Sequence, residues 1–598
     1  MTRSLVEKLS DVVGAAFSAR DLPADLGAVR VSDRPDLAQF QCNGAMAAAK
    51  IAGKAPRDIA NDIVGTLAGH GDLSRVDIAG PGFINLDVTD DYLAAHLRDM
   101  AGDSHLGVPQ SGSGQTVVLD YGGPNIAKPM HVGHLRSAII GDSLRLMMRY
   151  AGFKTLGDVH MGDWGTHMGM IVSEFIRTGA TDRILGIDLE DEEQIDALMG
   201  ELGVMYPQIA AACKEDPARK EEALAATVKI QNKESPYFDL LQLIRKASVN
   251  GMRRNYALLG VHFDLWKGEA DVHDLIAPMV ADLKAKKLAV ESDGATVIPV
   301  KRDDDKKEMP PLILYKRDGG VMYGTTDLAT IVERVSLYDP ARIIYVVDQR
   351  QHLHFEQLFR AAMAGAVTRP DVALFFAGFG TMNGTDGKPF KTRAGGVMKL
   401  EDLIAMALDK ARERLDEAAL AQDMDEAEKN DVAHKVAIAA IKFADLQNQR
   451  TSDYVFDLDR FAAFEGKTGP YMLYQAVRIK SLLRKAYVTN DIDIDIDTMF
   501  RDLWGNDVSL REGDRSLALQ LAQFSDAFDA ALRHYMPHHL AEYAYQLANS
   551  FSSFYANCHI LSEDDPAIRQ SRLALCVLTY KVLETTLAML GIAIPRRM

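Results

Sequence analysis

The chain has 598 residues and a formal net charge of −17, which is too long for one hydrophobic core, so about three or four folded units are expected at roughly 150 residues each. With 47% hydrophobic and 25% charged residues and no apolar run near the roughly 18 residues of a membrane span, the composition is that of a soluble globular protein. The acidic balance argues against indiscriminate nucleic-acid binding, although a local basic groove can still hold a phosphate backbone. Cys42, Cys213, Cys558 and Cys576 stand far apart with no C-x-x-C pair, so neither a disulfide framework nor a zinc knuckle is signalled. The first twenty residues lack a secretory apolar core and carry Glu7 and Asp11, unlike an acid-poor transit peptide, so a cytoplasmic location is expected.

In chain order, residues 1–105 combine an amphipathic helical pattern over Leu5 to Phe17 with the glycine-punctuated strand signal IAGPGFINLDV. The Ser- and Gly-rich SHLGVPQSGSGQ that follows reads as a linker. From Thr116 onward short apolar runs (TVVLDY, TLGDVH, ARIIYVVD, ALFFAGFG) alternate with helical patterns. This predicts an α/β unit over residues 116–400, a Rossmann-like doubly wound parallel sheet with its ligands at the carboxyl ends of the strands. Residues 180–260 break that rhythm with a charged, helix-favouring insertion. After residue 400 the helical period dominates, as in LEDLIAMALDKARERL and DVAHKVAIAAIKFADL, giving a connecting region over 401–490 and an all-α domain over 510–598. Between them DIDIDIDTMF (491–500) lacks the glycine and terminal glutamate of a calcium loop and is expected to be a solvated linker or edge strand.

Chemistry concentrates in TVVLDYGGPNIAKPMHVGHLRSAIIGDS, residues 116–143. A buried strand broken by Gly122, Gly123 and Pro124 and followed by a helix start presents free backbone N–H groups and a positive dipole end, suited to a phosphate. His131 and His134 fall on one face of that start, and Gly133 between them lets an adenine or ribose approach the backbone. A zinc site is not indicated, because the metalloprotease pattern needs histidines at i, i+4 with an intervening glutamate. A second basic loop, GTMNGTDGKPFKTRAGG (380–396), carries Lys388, Lys391 and Arg393 among glycines, suited to the β- and γ-phosphates of a nucleotide. Together the two segments describe an ATP clamp.

GGPNIAKPMHVGHLRS resembles the HIGH signature of class I aminoacyl-tRNA synthetases in the form shown by the arginyl-tRNA synthetases, with HVGH in place of HIGH. GKPFKTRAGG stands where the KMSKS signature is expected and departs from it, Pro389 and Phe390 replacing Met and Ser, while Lys388 and Lys391 keep the lysine positions. GDVHMGDWGTHMG, GEAD, MYGTTDLA, VVDQRQHLHF, SFYANCHIL and LGIAIPRRM extend the similarity over nearly the whole chain. The resemblance implies an arginine–tRNA ligase. L-Arginine would be activated by ATP with Mg2+ to arginyl-adenylate and passed to the 3′ end of tRNA(Arg), with tRNA needed even for the first step. A monomer that uses no zinc and touches no membrane is expected.

The same resemblance implies roles by position. Lys128, His131, His134, Lys388 and Lys391 are the catalytic candidates, and His131, Gly133, His134, Lys388 and Lys391 the ATP contacts. Asn125, Glu269, Tyr323, Asp327 and Gln351 are the arginine contacts. A guanidinium is a flat permanent cation with five donors, which carboxylates and an aromatic face accommodate. Tyr323 and Asp327, at i, i+4, share a helix face, and the amides of Asn125 and Gln351 suit the amino and carboxylate groups. The last domain resembles the DALR-type anticodon-binding bundle, with DAALRHY at Asp529–Tyr535. Tyr543, Tyr545, Phe551, Phe554 and Tyr555 run through one helical segment there; most of these rings face the core, and Tyr555, Asn557 and Met598 are the candidates for tRNA contact. Residues 1–105 resemble the family's added domain for the tRNA elbow, with Phe40, Gln41 and Asn43 as candidates. The alternatives are another class I synthetase, a smaller nucleotidyltransferase, or a non-catalytic RNA-binding relative.

Overall fold

The computed structural model describes residues 3–317, 319–388, 398–420, 422–487, 495–505 and 507–598. Contacts divide the chain into two compact units: Met1–Ser111 with Leu415–Ala439 and Ala463–Met598, and Gly112–Arg414 with Ala440–Ala462. Residues 401–490, read from sequence as one connecting region, are thus shared between the two.

The second unit is built on four parallel strands, β1 (Thr116–Asp120), β2 (Lys154–Asp158), β3 (Arg342–Tyr345) and β4 (Ala373–Phe376), in the spatial order β4-β3-β1-β2. All four were predicted as apolar runs. Val117, Val118, Leu119, Ile343 and Ile344 are fully buried, as expected where helices cover both faces of a parallel sheet. The chain leaves β1 toward β2 on one side and later returns to β3 on the other. The strand order therefore reverses between β1 and β3, the place where a doubly wound sheet opens a crevice at its carboxyl edge.

Helix α1 (Leu135–Tyr150) connects β1 to β2. The much longer path from β2 to β3 carries the helical insertion, including α2 (Glu192–Glu215) and α3 (Tyr237–Leu258). Asp191 starts α2 by accepting the N–H groups of Glu193 and Gln194, a carboxylate at the positive end of the helix dipole. The same path holds a small antiparallel sheet, Val290–Ser292, Ala295–Ile298 and Leu312–Tyr315, which the sequence reading did not anticipate. Helix α4 (Tyr323–Tyr338) precedes β3, α5 (His352–Ala364) follows it, and α6 spans Glu426–Leu446. Arg334 of α4, 1% exposed, donates to Asp120 Oδ2 and Asp158 Oδ2, both at 2.7 Å. Those aspartates are register partners at the ends of β1 and β2. One buried cation between two carboxylates fixes α4 against the strand ends, and its removal would strand both charges.

The first unit opens on helix Leu5–Ser18, closed by a capping box between Ser4 and Glu7. An antiparallel sheet follows in the order Val29–Val31, Phe40–Cys42, Phe83–Val88, Leu73–Ala79. Its C-terminal part is a helical bundle containing Gly469–Ala486, Ile496–Trp504, Arg515–Ala522, Phe524–His534, His538–Asn557 and Pro566–Met589. Arg515 of the bundle bonds the Val88 carbonyl and the Asp90 carboxylate of the N-terminal part. The expectation of a linker or edge strand over 491–500 is corrected: residues 491–494 lie outside the described set, and Ile496–Trp504 is a helix. Asp495 caps it, and Ile496, Leu503 and Trp504 turn inward, so helical spacing of the apolar groups outweighs the two-residue alternation before them. Among the described residues no helix is long and apolar enough to cross a membrane.

Candidate active site

The crevice predicted by the strand order exists. A cleft is lined by Asp120 to Gly123 after β1, by Gly133, His134 and Ser137, and by Val346 to Asp348, Gln351 and Phe379 after β3. Ser137 ties its two walls, accepting the Gly122 N–H at 2.8 Å and donating to the Val346 carbonyl at 2.6 Å. Gly122 sits at φ +86, and a Cβ there would meet the Tyr256 hydroxyl at 2.7 Å and Phe263 at 2.8 Å, so this turn admits only glycine.

The histidine segment starts as a 3₁₀ turn, Val132–His134, that runs into α1. His131 Nδ1 accepts the Gly133 N–H at 3.0 Å, and His134 Nδ1 accepts the His131 N–H at 3.2 Å. The ring centroids lie 4.0 Å apart. With both Nδ1 atoms acting as acceptors, each ring carries its proton on Nε2. Burial, then the neighbouring His131 and Lys128, pushes His134 down to about 3, and burial followed by Lys128 lowers His131. Both are neutral Nε2–H donors at physiological pH. Gly133 is exposed between them.

Arg136, two residues on and 2% exposed, bonds Asp445 of α6 at 3.0 Å and the carbonyls of Gly380 at 2.6 Å and Ser452 at 3.0 Å. It thereby fixes the segment leading into the lysine loop. Lys388 closes a turn there, its carbonyl accepting the Gly384 N–H at 2.7 Å. Lys391 lies outside the described residues. Beyond the loop, Lys399 bridges His131, the Val132 N–H donates to Met398 and the Leu400 N–H to Met130. Both ends of the loop are therefore anchored beside the histidine turn. Lys128 points elsewhere: its ammonium lies 4.3 Å from the centre of the Tyr206 ring of α2 and borders a larger cavity of 570 Å³ with Ser248, Arg254 and Lys399. Its charge still reaches both histidines.

Backbone pairing carries the site toward the predicted arginine contacts. Asn125, exposed, pairs with Gly162, where a Cβ would strike its Oδ1 at 2.2 Å. Met161 pairs with Gly268 and accepts the Glu269 N–H at 3.1 Å. Asp163 accepts the Ala270 N–H at 2.9 Å and is itself held by Arg245 at 2.9 Å, which fixes the GEAD turn. Glu269 is 9% exposed. Burial first, then the negative charges of Asp327 and Asp163, pushes its carboxyl up to about 8. Tyr323, the first residue of α4, lies within electrostatic reach of Glu269 and Asp327. Gln351, exposed on the turn before α5, lines the crevice itself. Sequence reasoning missed His354 of α5, whose Nε2 lies 2.5 Å from Asp327 Oδ2. Burial pushes this imidazole down, but the bond to Asp327 and its charge outweigh that and hold its pKa above the usual value. His354 lies in the VVDQRQHLHF segment that carries the resemblance, but nothing in the local pattern distinguishes it from His352 two residues earlier or names Asp327 as its partner.

The RNA candidates separate by burial. Phe40 is 1% exposed within the N-terminal sheet, which speaks against it as a contact to the tRNA elbow: on a strand facing a core, alternate residues point inward. Gln41 bonds Asn85 at 3.1 Å, and Asn43 precedes helix Gly44–Ala52. In the bundle, Tyr543, Phe551 and Phe554 are buried, whereas Tyr555 is 36% exposed with Arg478 stacked 4.2 Å from its ring centre. Asn557 donates back to the Ser553 carbonyl at 2.9 Å, and Met598 is half-buried.

Comparison with known proteins gives the same domain order. The model described as tRNA synthetases class I (R), catalytic domain, matches residues 97–458, the DALR anticodon binding domain 472–598, and the arginyl tRNA synthetase N terminal domain 3–88. The arginine–tRNA ligase of Hyphomonas neptunium is 48% identical, with all of both chains covered, and that of Alkaliphilus oremlandii 44%, with 99% of this chain and 100% of the relative covered. Among solved structures, Plasmodium falciparum arginyl-tRNA synthetase superposes over 100% of both chains with a TM-score of 0.82 at 25% identity. The Thermus thermophilus arginyl-tRNA synthetase shares the fold, with a TM-score of 0.77 at 22% identity over 99% of this chain and 100% of that one. Three domain models in sequence, and arginine–tRNA ligases matched along the full length, lead to one conclusion: the chain belongs to the arginyl-tRNA synthetases of class I.

Proposed function

We infer that this chain joins L-arginine to tRNA(Arg) at the expense of ATP, with the chemistry at the crevice between the ends of β1 and β3. The observation that carries the choice of arginine is the acidic wall. Glu269 is buried, Asp327 stands near it, and no lysine or arginine among the described residues pairs with either. Two carboxylates and a tyrosine within electrostatic reach of one another lack only a cation, and a guanidinium supplies a planar one.

In the first step the arginine carboxylate attacks the α-phosphorus of Mg-ATP in line. A P–O bond forms to the carboxylate as the bond to the β-phosphate oxygen breaks and pyrophosphate leaves. His131 and His134 donate Nε2–H bonds to the phosphoryl oxygens as charge develops, contributing aligned dipoles rather than full charges. Lys388 and Lys391 offset the charge of pyrophosphate, Lys128 adds to this through its field, as it does at both histidines, and Gly133 gives the nucleotide room beside the turn. Asn125 and Gln351 hold the amino and carboxylate groups of arginine, and Glu269, Asp327 and Tyr323 its guanidinium. Mg2+ arrives with ATP as part of that substrate. In the second step the 2′-hydroxyl of the terminal tRNA ribose attacks the adenylate carbonyl, and AMP departs. Gln41, Asn43, Tyr555, Asn557 and Met598 are the proposed tRNA contacts, and the chain acts as a cytoplasmic monomer in this reading.

The test is ATP–pyrophosphate exchange. Exchange is expected with arginine and only once tRNA is added; exchange driven by a different amino acid, or none with arginine under any condition, would overturn the assignment.

A further inference from the structure

The acidic wall contains one group that the reaction scheme does not use. Asp327 has two carboxylate oxygens, and its Oδ2 is already taken by His354 Nε2 at 2.5 Å. The two come from different helices, α4 and α5, which flank β3. Each is partly buried, with 32% of the His354 side chain and 21% of the Asp327 side chain exposed. The His354 ring is held edge-on to Phe355, with centroids 5.3 Å apart, so the donor is not free to swing. A carboxylate bound at one oxygen by a fixed donor loses its rotation about the Cβ–Cγ bond and presents the other oxygen in one direction. Glu269, by contrast, has no basic partner among the described residues.

We propose that His354 is a positioning residue for arginine recognition: it holds Asp327 through Oδ2 so that Oδ1 alone faces the guanidinium, and Glu269 provides the second acceptor. The inference rests on the reading of Asp327 as a guanidinium acceptor. Arginine would thus be gripped by one oxygen from each of two carboxylates on separate elements, rather than by one carboxylate in a two-pronged pair. This geometry measures the spread of the guanidinium nitrogens, which a single ammonium cannot match. The raised pKa of His354 has the same origin, since the bond to Asp327 and its charge stabilise the protonated donor.

Steady-state charging by the full-length protein with tRNA present tests this. His354→Ala and His354→Phe both remove the donor, and the latter keeps a ring against Phe355. Each is expected to raise KM for arginine by about 10- to 100-fold, as loss of a charge-assisted bond at a binding carboxylate predicts, while KM for ATP stays within about 2-fold. His354→Gln, whose amide can donate to the same oxygen, should recover most of the loss. An unchanged arginine KM in both variants, an equal rise for arginine and ATP, retention of affinity by His354→Phe, or failure of His354→Gln to recover it would each overturn the proposal. Asp327→Asn run alongside separates the two levels. If it raises the arginine KM while His354→Ala does not, only the positioning role falls. If neither does, the assignment of Asp327 falls as well.

Discussion

His131 and His134 hold their own turn together. Each Nδ1 is occupied by a main-chain N–H, so the tautomer, and with it the outward Nε2–H donor, is set by local backbone geometry. The spacing of two histidines around Gly133 was legible in the sequence; their neutrality was not, because it comes from burial and from Lys128. Glu269 shows the same limit. Its place in GEAD marked it as a candidate, but it is burial first, and then the approach of Asp327 and Asp163, that raises its carboxyl to about 8. That value gives a signed prediction. Below about 8 the group is protonated and must lose its proton before it can accept a guanidinium. KM for arginine is therefore expected to fall as pH rises, by up to about tenfold per unit, and to level off above that point. Glu269→Gln should raise the KM and flatten the profile; a pH-dependence that survives the substitution would assign the titration to another group.

At the scale of elements, the helical insertion does more than decorate the sheet. Ser248 of α3, fully buried, accepts the Ala127 N–H at 3.0 Å and donates to Ile244 at 2.7 Å. Ala127 lies at φ +60, a left-handed backbone disfavoured for a residue with a Cβ, and the next residue is Lys128. The insertion thus pins a strained step in the N-I-A-K segment. Ser248→Ala should leave a buried N–H unsatisfied, at a cost of about 1–3 kcal/mol, seen as a lower denaturation midpoint. It should also slow pyrophosphate exchange by about tenfold or more through displacement of Lys128. Unchanged exchange in a folded variant would remove the insertion from the chemistry. That residues 180–260 form a helical insertion was readable from their charged, helix-favouring composition, whereas the contact of α3 with a segment about 120 residues earlier was not, because a lone serine on a helix carries no record of its partner. The small antiparallel sheet before α4 was missed for a related reason: strands of three and four residues are too short to show a period.

For the whole molecule, the N-terminal domain and the helical bundle fall within one compact unit, and Arg515 joins them through Val88 and Asp90. If both parts contact tRNA, as proposed above, holding them at a fixed separation gives one ligand a high effective concentration, and that advantage is lost when the join loosens. Arg515→Ala is therefore expected to raise KM for tRNA by about 3- to 10-fold with the arginine and ATP values unchanged; a uniform rise in all three would mark Arg515 as a folding residue only. The sequence by itself determined the order of the domains and the four parallel strands, and marked the two Gly-rich segments around His131 and Lys388 as candidates, because these are encoded by local periodicity, turn residues and contiguous motifs. Only the tertiary structure decided which candidates face solvent, removing Phe40 and turning Lys128 toward Tyr206. It also decided which charges meet: the pairing of Asp327 with His354, the clamp of Arg334 on Asp120 and Asp158, and the raised carboxyl of Glu269. Burial and through-space charge depend on residues brought together from distant parts of the chain, and no local pattern records them.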